Sequence, residues 1–260
     1  MNIVELKALK QAGEKITCLT AYDASFASVF DECGIDIILV GDSLGNVIKG
    51  DKNTLGVSMD DMIYHTRAVA QGINRALLLA DMPYQSYQNA EQTLENAKRL
   101  IDVGADMVKF EGGRERQACF KILTEQGIPV CAHLGLQPQS VLQIGGYKVQ
   151  GRDQHSAERI LADAKLVESW GAQAIVLECI PAELGRKISQ SLCIPTIGIG
   201  AGVDCDGQVL VSYDMLGITN GRLPKFVKNF VHRGDSIAIA VKRFIDEVKT
   251  QSFPTDSHSY

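Results

Sequence analysis

A (β/α)8 barrel is the fold that this sequence predicts, and three observations predict it. Short apolar runs rich in Ile, Val and Leu alternate with longer amphipathic stretches along the whole chain, the pattern of a parallel sheet covered by helices. Eight such units can be traced, and eight strands with right-handed crossovers close most naturally into a barrel. The length, 260 residues, is typical of one such barrel. An open doubly wound sheet is the second choice. No internal repeat, low-complexity segment or linker divides the chain, so residues 1–260 read as a single catalytic barrel domain.

Taken in order, Met1 to Lys10 alternates charged and apolar residues and reads as a short capping helix ended by a turn at Gly13. It has no signal-peptide core, and no apolar run approaches the ~20 residues that cross a bilayer. The first strand is expected over Ile16 to Tyr22, ending at Asp23, with a helix from Ala24 to Cys33 stopped by Gly34. The second is Ile35 to Val40, and Ser58 to Asp61 resembles a capping box that opens a helix to Gln71. The third is Ala76 to Ala80, followed by a helix from Asn89 to Val103. The fourth lies within Asp106 to Gly113, with a helix from Arg114 to Gln126. The fifth, Pro129 to Ala132, ends in His133, and a glycine-containing loop, Gly145 to Arg152, precedes a helix from Ser156 to Trp170. The sixth, Ala174 to Leu177, ends in Glu178, with a helix to Gln190. The seventh is Ile194 to Ile199. A final strand is expected near Met215 to Ile218, then an irregular stretch containing Asn220-Gly221 and a helix from Asp235 to Lys249.

Composition narrows the function. Apolar residues make up 45% and charged residues 22%, with a net charge of −5, so there is no basic surplus to neutralise nucleic-acid phosphates. The seven cysteines are scattered and lack a Cys-x-x-Cys pair, which suits reduced thiols in a cytoplasmic compartment, most of them small core residues.

The informative pattern lies at the strand ends. Side chains two apart share a face of a strand, so Lys109 and Glu111 point one way and Val108 and Phe110 the other. Asp23, Asp42, Asp81, Glu111, His133 and Glu178 each close an expected strand, and barrels place their chemistry at that end. Asp42, Asp81 and Glu111, from consecutive strands, would lie side by side and repel unless protons or a cation compensate. Oxygen-only ligands suit Mg2+, and no His/Cys cluster has zinc spacing.

The bland readings weigh differently at each position. Asp23 reads as the cap of the following helix. For Asp42 the flanking Gly41 and Gly45 suggest close backbone approach to a ligand, and Asp81 has no helix immediately after it to cap. Glu178 suits a proton acceptor reaching across the mouth, against a capping role toward a helix begun by Pro181. His133 stands between packing and substrate contact; His65, His155, His232 and His258 read as structural or exposed. Gly198-Ile-Gly-Ala-Gly202 lacks nucleotide-loop spacing and reads as a tight turn at the mouth.

Together these blocks resemble the 3-methyl-2-oxobutanoate (ketopantoate) hydroxymethyltransferase family of pantothenate and coenzyme A biosynthesis. The resemblance runs nearly end to end, through Leu19-Thr-Ala-Tyr-Asp23, Val40-Gly-Asp-Ser-Leu-Gly45, Leu79-Ala-Asp-Met-Pro83, Met107-Val-Lys-Phe-Glu-Gly-Gly113, His133-Leu-Gly-Leu136, Gly145-Gly-Tyr-Lys-Val-Gln-Gly-Arg152, Leu177-Glu-Cys-Ile-Pro181, Ile197-Gly-Ile-Gly-Ala-Gly202 and Pro224-Lys-Phe226. Each block alone is weak, but the spaced set is specific. It departs from the family pattern at Ala132, Gln137 and Leu142, where Gly, Thr and a polar residue are expected.

The resemblance implies a homo-oligomer, a decamer in bacterial members, that transfers a hydroxymethyl group from 5,10-methylenetetrahydrofolate to 3-methyl-2-oxobutanoate. It implies Mg2+ ligands at Asp42, Asp81 and Glu111, keto-acid contacts at Asp42, Ser43, Asp81 and Lys109, and a general base at Glu178. His133 is carried as a further candidate substrate contact, and the Gly145 to Arg152 loop as a candidate lid. Two other readings compete: a Mg2+-dependent carbon–carbon lyase on the same barrel, and a non-catalytic barrel that would have lost a ligand or the base.

Overall fold

In a computed structural model of the chain, which describes residues 1–141, 145–219, 221 and 223–260, eight parallel strands close into a barrel in sequence order. They are β1 (Ile16–Thr20), β2 (Ile37–Val40), β3 (Leu77–Asp81), β4 (Met107–Glu111), β5 (Val130–Gly135), β6 (Ala174–Glu178), β7 (Thr196–Ile199) and β8 (Gly207–Leu210), with β8 pairing back onto β1. Helices α1 (Ile3–Ala12), α2 (Ala24–Cys33), α3 (Leu44–Val47), α4 (Met59–Ala70), α5 (Ala90–Asp102), α6 (Gln117–Glu125), α7 (Gln154–Ser169), α8 (Ala182–Ser191), α9 (Ser212–Met215) and α10 (Ile237–Lys249) complete the order. Among the described residues no helix is long and apolar enough to cross a membrane.

Local chemistry explains the boundaries. Asp23 caps α2 by accepting from Phe26 N, as its position predicts, and Ser58 and Asp61 form the reciprocal capping box of α4. Gly13 and Gly34 end α1 and α2 in left-handed conformation, which costs a glycine nothing in side-chain clash. Each strand lies between barrel interior and helices, so Leu77, Leu78, Leu79 and Ala80 are all buried although they point alternately in and out. Outside β4, Phe110 stacks on Phe120 of α6 with ring centroids 4.5 Å apart, which turns Lys109 and Glu111 inward.

The last strand differs from expectation. Met215 lies in the short helix α9 and Ile218 in the loop after it, while Gly207-Gln-Val-Leu210 forms β8. Gly and Gln at its start hide a strand from hydrophobic pattern, but Gln208 is buried and donates to the Gly202 carbonyl at 3.0 Å, and Gly207 admits the Ile16 backbone. In the stretch from Met215 to Ile218 the apolar character instead reflects burial of Met215 and Leu216 at the end of a short helix, while Ile218 is exposed. Leu142 and Asn220 lie outside the described residues. Ala132 is fully buried, alternating with the inward Cys131 and His133.

Candidate active site at the carboxyl end of the barrel

The strand ends bring Asp42, Asp81, Lys109, Glu111, His133 and Glu178 to one mouth, and Ser43 joins them as a lining residue. Register does this directly: Asp81 pairs with Lys109, Glu111 with His133, and Gly135 with Glu178 across neighbouring strands. Lys109 Nζ lies 2.5 Å from Asp81 Oδ1, and both side chains are buried. Asp81 Oδ2 accepts from the main-chain N–H of Asp42 at 3.0 Å. Ser43 Oγ is 2.8 Å from the Tyr22 hydroxyl.

One residue that the sequence does not flag completes the cluster. Gln139 sits in the 3-10 turn after β5, and its Nε2 donates to Asp42 Oδ2 at 2.8 Å and to the Met82 carbonyl at 3.0 Å. Its main-chain N–H faces the Glu111 carboxylate, 3.1 and 3.3 Å from the two oxygens. A turn glutamine carries no periodicity or motif signal, so only the fold exposes this role. Among the described residues no three of His, Cys, Asp and Glu are spaced as a ready metal cage. Gln139 and Lys109 accordingly hold the carboxylates here.

Gly41 and Gly45 both lie in close quarters within the chain. A Cβ on Gly41 would lie 2.7 Å from Ser43 Oγ, and one on Gly45 2.9 Å from Val57 Cγ2. Glu178 does not cap α8, whose first turn follows Pro181 without a side-chain cap. Gly200 and Gly202 take left-handed φ of 63° and 89°, the tight turn expected of that run.

Electrostatics follow from burial. Burial, then the Asp81 charge, pushes the Asp42 carboxyl up to about 7 against the pull of Lys109, and burial followed by the Asp42 charge raises Glu111 well above the ordinary range. Burial lifts Glu178 to about 8. For Lys109 burial alone would lower the pKa, yet the charges of Asp81 and Asp42 raise it above its usual value. His133 is depressed by burial and by Lys109, so its imidazole is neutral. Its Nδ1 lies 3.4 Å from Lys109 Nζ and 3.7 Å from Glu111 Oε1. Its Nε2 is 3.0 Å from Glu178 Oε2, close in distance though not aligned as a hydrogen bond. With Lys109 donating to Nδ1, the Nε2 carries the proton.

The backbone around Glu178 is also specialised. Cys179 adopts a left-handed φ of 48°, uncommon for a residue with a Cβ and found where side chains are aimed at a site. Gly135 has φ 92°, and a Cβ there would come within 2.2 Å of the Glu178 carbonyl, which accepts from Leu136 N at 2.8 Å. The 145–152 loop is tied at one end by Gln150 N to the Cys179 carbonyl at 2.9 Å. Tyr147, Lys148 and Arg152 from this loop, with Lys225, Phe226 and Tyr260, line a cavity of about 1140 Å3 whose wall also includes Asp42, Asp81, Lys109, His133 and Glu178; Glu111, buried beside them, does not line it. Lys225 Nζ lies over the Tyr260 ring, 5.3 Å from its centroid.

A family model described as ketopantoate hydroxymethyltransferase matches residues 1–256. A protein of Ruthia magnifica subsp. Calyptogena magnifica named 3-methyl-2-oxobutanoate hydroxymethyltransferase is 66% identical over 260 residues, covering 100% of both chains. One of the same name from Shewanella halifaxensis is 56% identical over 255 residues, covering 98% of this chain and 97% of the relative. Similar solved structures include phosphonopyruvate hydrolase in complex with oxalate and Mg2+, with TM-score 0.62, 15% identity and 81% of each chain covered. Another is 2,3-dimethylmalate lyase, a member of the PEP mutase/isocitrate lyase superfamily, with TM-score 0.59, 17% identity and coverage of 83% and 82%. At that identity the structural likeness speaks for the barrel alone.

Proposed function

The chain belongs to the ketopantoate hydroxymethyltransferase family, and from that premise we propose how its own residues carry out ketopantoate formation for pantothenate biosynthesis. The carrying observation is the buried ensemble of Asp42, Asp81, Glu111 and Lys109 facing Glu178 across the barrel mouth. Three carboxylates share one lysine, and burial drives two of them toward protonation. Such a set, all oxygen donors with surplus negative charge, fits a hard divalent cation, and we assign Asp42, Asp81 and Glu111 to hold Mg2+. When bound there, Mg2+ supplies Lewis-acid withdrawal of electron density from the α-keto acid.

The chain's own groups do the rest. Asp42, Ser43, Asp81 and Lys109 surround the keto acid, and the Lys109 ammonium offsets the negative charge that develops on the ketone oxygen as the C3–H bond breaks. Glu178 accepts that proton. Its raised pKa makes it a stronger base than an ordinary carboxylate while leaving part of it ionised near neutrality. The neutral His133, whose Nε2 lies 3.0 Å from Glu178 without forming an aligned hydrogen bond, borders the keto acid beside the base. The C3 carbon forms a new C–C bond to the one-carbon unit of 5,10-methylenetetrahydrofolate. Water contributes the hydroxyl oxygen, both bonds from that carbon to the folate nitrogens N5 and N10 break, and the two nitrogens take up the proton lost from C3 and one from the water as tetrahydrofolate leaves.

Cavity size supports a second, bulky substrate. A volume of about 1140 Å3 exceeds the ~300–1,000 Å3 typical of pockets for drug-sized ligands, and a small branched keto acid fills only a fraction of it. The aromatic and basic wall suits a pterin with an anionic glutamyl tail, and the 145–152 loop is placed to close over it. Deletion of that loop should raise KM; an unchanged KM rejects the lid. The lyase reading has only the barrel in its favour, since the neighbouring structures are 14–17% identical.

The deciding experiment measures ketopantoate from 3-methyl-2-oxobutanoate and methylenetetrahydrofolate, with and without Mg2+, for the wild type, Glu178→Gln and Asp81→Asn. Metal-dependent turnover, with each variant losing at least ~100-fold, is the expected result. Turnover without metal, or full activity in Glu178→Gln, would reject the assignments. The same reading carries a single barrel domain, a homodecamer and a cytoplasmic location. It is supported by the family resemblance and by the cysteines, which are all free. Light scattering tests the assembly, and cell fractionation tests the location.

A further inference from the structure

We propose that Gln139 is the positioning residue of the cation site, holding the Asp42 and Glu111 carboxylates in the arrangement that receives the metal. This rests on the reading of Asp42, Asp81 and Glu111 as cation ligands. Gln139 is 5% exposed, and every polar atom of its side chain is engaged. Its Nε2 faces two acceptors, Asp42 Oδ2 at 2.8 Å and the Met82 carbonyl at 3.0 Å, which leaves the amide one orientation. The Tyr87 hydroxyl donates to Oε1 and locks that orientation from the other side. Pro138 opens the 3-10 turn, and the Gln139 main-chain N–H is aimed at Glu111 from 3.1 Å. A single residue thus ties together the ends of β2, β3 and β4, the three strands that carry the acids.

The residue type matters. The side-chain amide serves Asp42, while Glu111 is met by the main-chain N–H. A lysine or arginine would hold Asp42 only by cancelling the charge the cation must meet, and a glutamate would repel it. The glutamine amide donates while adding no charge, so the cluster stays anionic and keeps its geometry. Outer-shell partners of this kind set metal affinity by orienting the ligands.

The test is direct binding of Mg2+ by calorimetry, and of Mn2+ by electron paramagnetic resonance, to the full-length protein without substrates. Gln139→Ala should weaken both ions 10- to 100-fold with the circular dichroism spectrum retained, and Tyr87→Phe, which frees the amide to rotate, should weaken them by a smaller factor. Gln139→Glu should lower the melting temperature in chelator and show a larger rise on adding Mg2+ than the wild type, a response that a merely structural glutamine would not produce. Unchanged affinity in folded Gln139→Ala overturns the proposal. Where that variant does not fold, unchanged affinity in Tyr87→Phe overturns it. A wild type that binds neither ion overturns the cation reading itself, and with it the role of Gln139.

Discussion

His133 Nε2 stands 3.0 Å from Glu178 Oε2, the two residues coming from neighbouring strands whose side chains turn into the same mouth. Because the imidazole is held neutral by burial and by Lys109, it adds no positive charge beside the carboxylate. Glu178 therefore keeps the elevated pKa that burial gives it, with Lys109 and Asp81 acting in opposite senses.

The first prediction concerns pH. If Glu178 is the base proposed above, it works only when ionised, so the pH profile of kcat/KM for the keto acid should rise through about pH 8 and level above it. A group whose folded pKa is raised is bound to its proton more tightly in the folded state, so its contribution to stability is lost as pH climbs from the ordinary glutamate range through about 8. Glu178→Gln should consequently abolish turnover yet melt at a higher temperature than the wild type at pH 9, with the advantage vanishing by pH 4. Calorimetric melts at the two pH values check the sign.

Lys109 Nζ stands 2.5 Å from the buried Asp81 carboxylate. Removing one partner of a buried pair leaves an uncompensated charge and costs about 3–5 kcal/mol. Lys109→Met should lose that much in urea unfolding with chelator present and recover part of it at low pH, where the acids become protonated. A loss below ~1 kcal/mol would show that the pair contributes little.

Gly135 carries both a left-handed φ and a close approach to the Glu178 carbonyl. Gly135→Ala should destabilise the protein by more than about 1 kcal/mol and lower kcat, because β5 and β6 can admit the methyl group only by moving the base. Equal stability and kcat would remove the argument that this contact sets the position of Glu178.

Arg152 and Lys225 border the cavity beside Tyr260. Arg152→Ala and Lys225→Ala should raise KM for methylenetetrahydrofolate more steeply as its glutamyl tail lengthens, and added salt should blunt the difference. The KM for the keto acid, proposed to sit at Asp42, Ser43, Asp81 and Lys109, should change less. Equal effects on both substrates would place the tail elsewhere.

Much of this protein was legible in the chain itself. The alternation of apolar strands and amphipathic helices marked a parallel sheet covered on both faces, and eight such units favoured a barrel over an open doubly wound sheet. Period-two spacing turned Lys109 and Glu111 to the interior, and strand-end position marked Asp42, Asp81, His133 and Glu178, since local geometry decides which way a side chain leaves a strand. Caps at Asp23 and Ser58 were equally local. What only the tertiary structure decided were the relations across distant segments: β8 at Gly207–Leu210, revealed by its ladders to β1 and β7 rather than by hydrophobicity; the left-handed turn at Cys179; and Gln139, which lies 97 positions from the Asp42 it holds. Sequence pattern records which face a residue takes within its own element. Hydrogen bonds and electrostatics between elements arise only when the barrel closes, and closure is what brings a turn glutamine against two carboxylates.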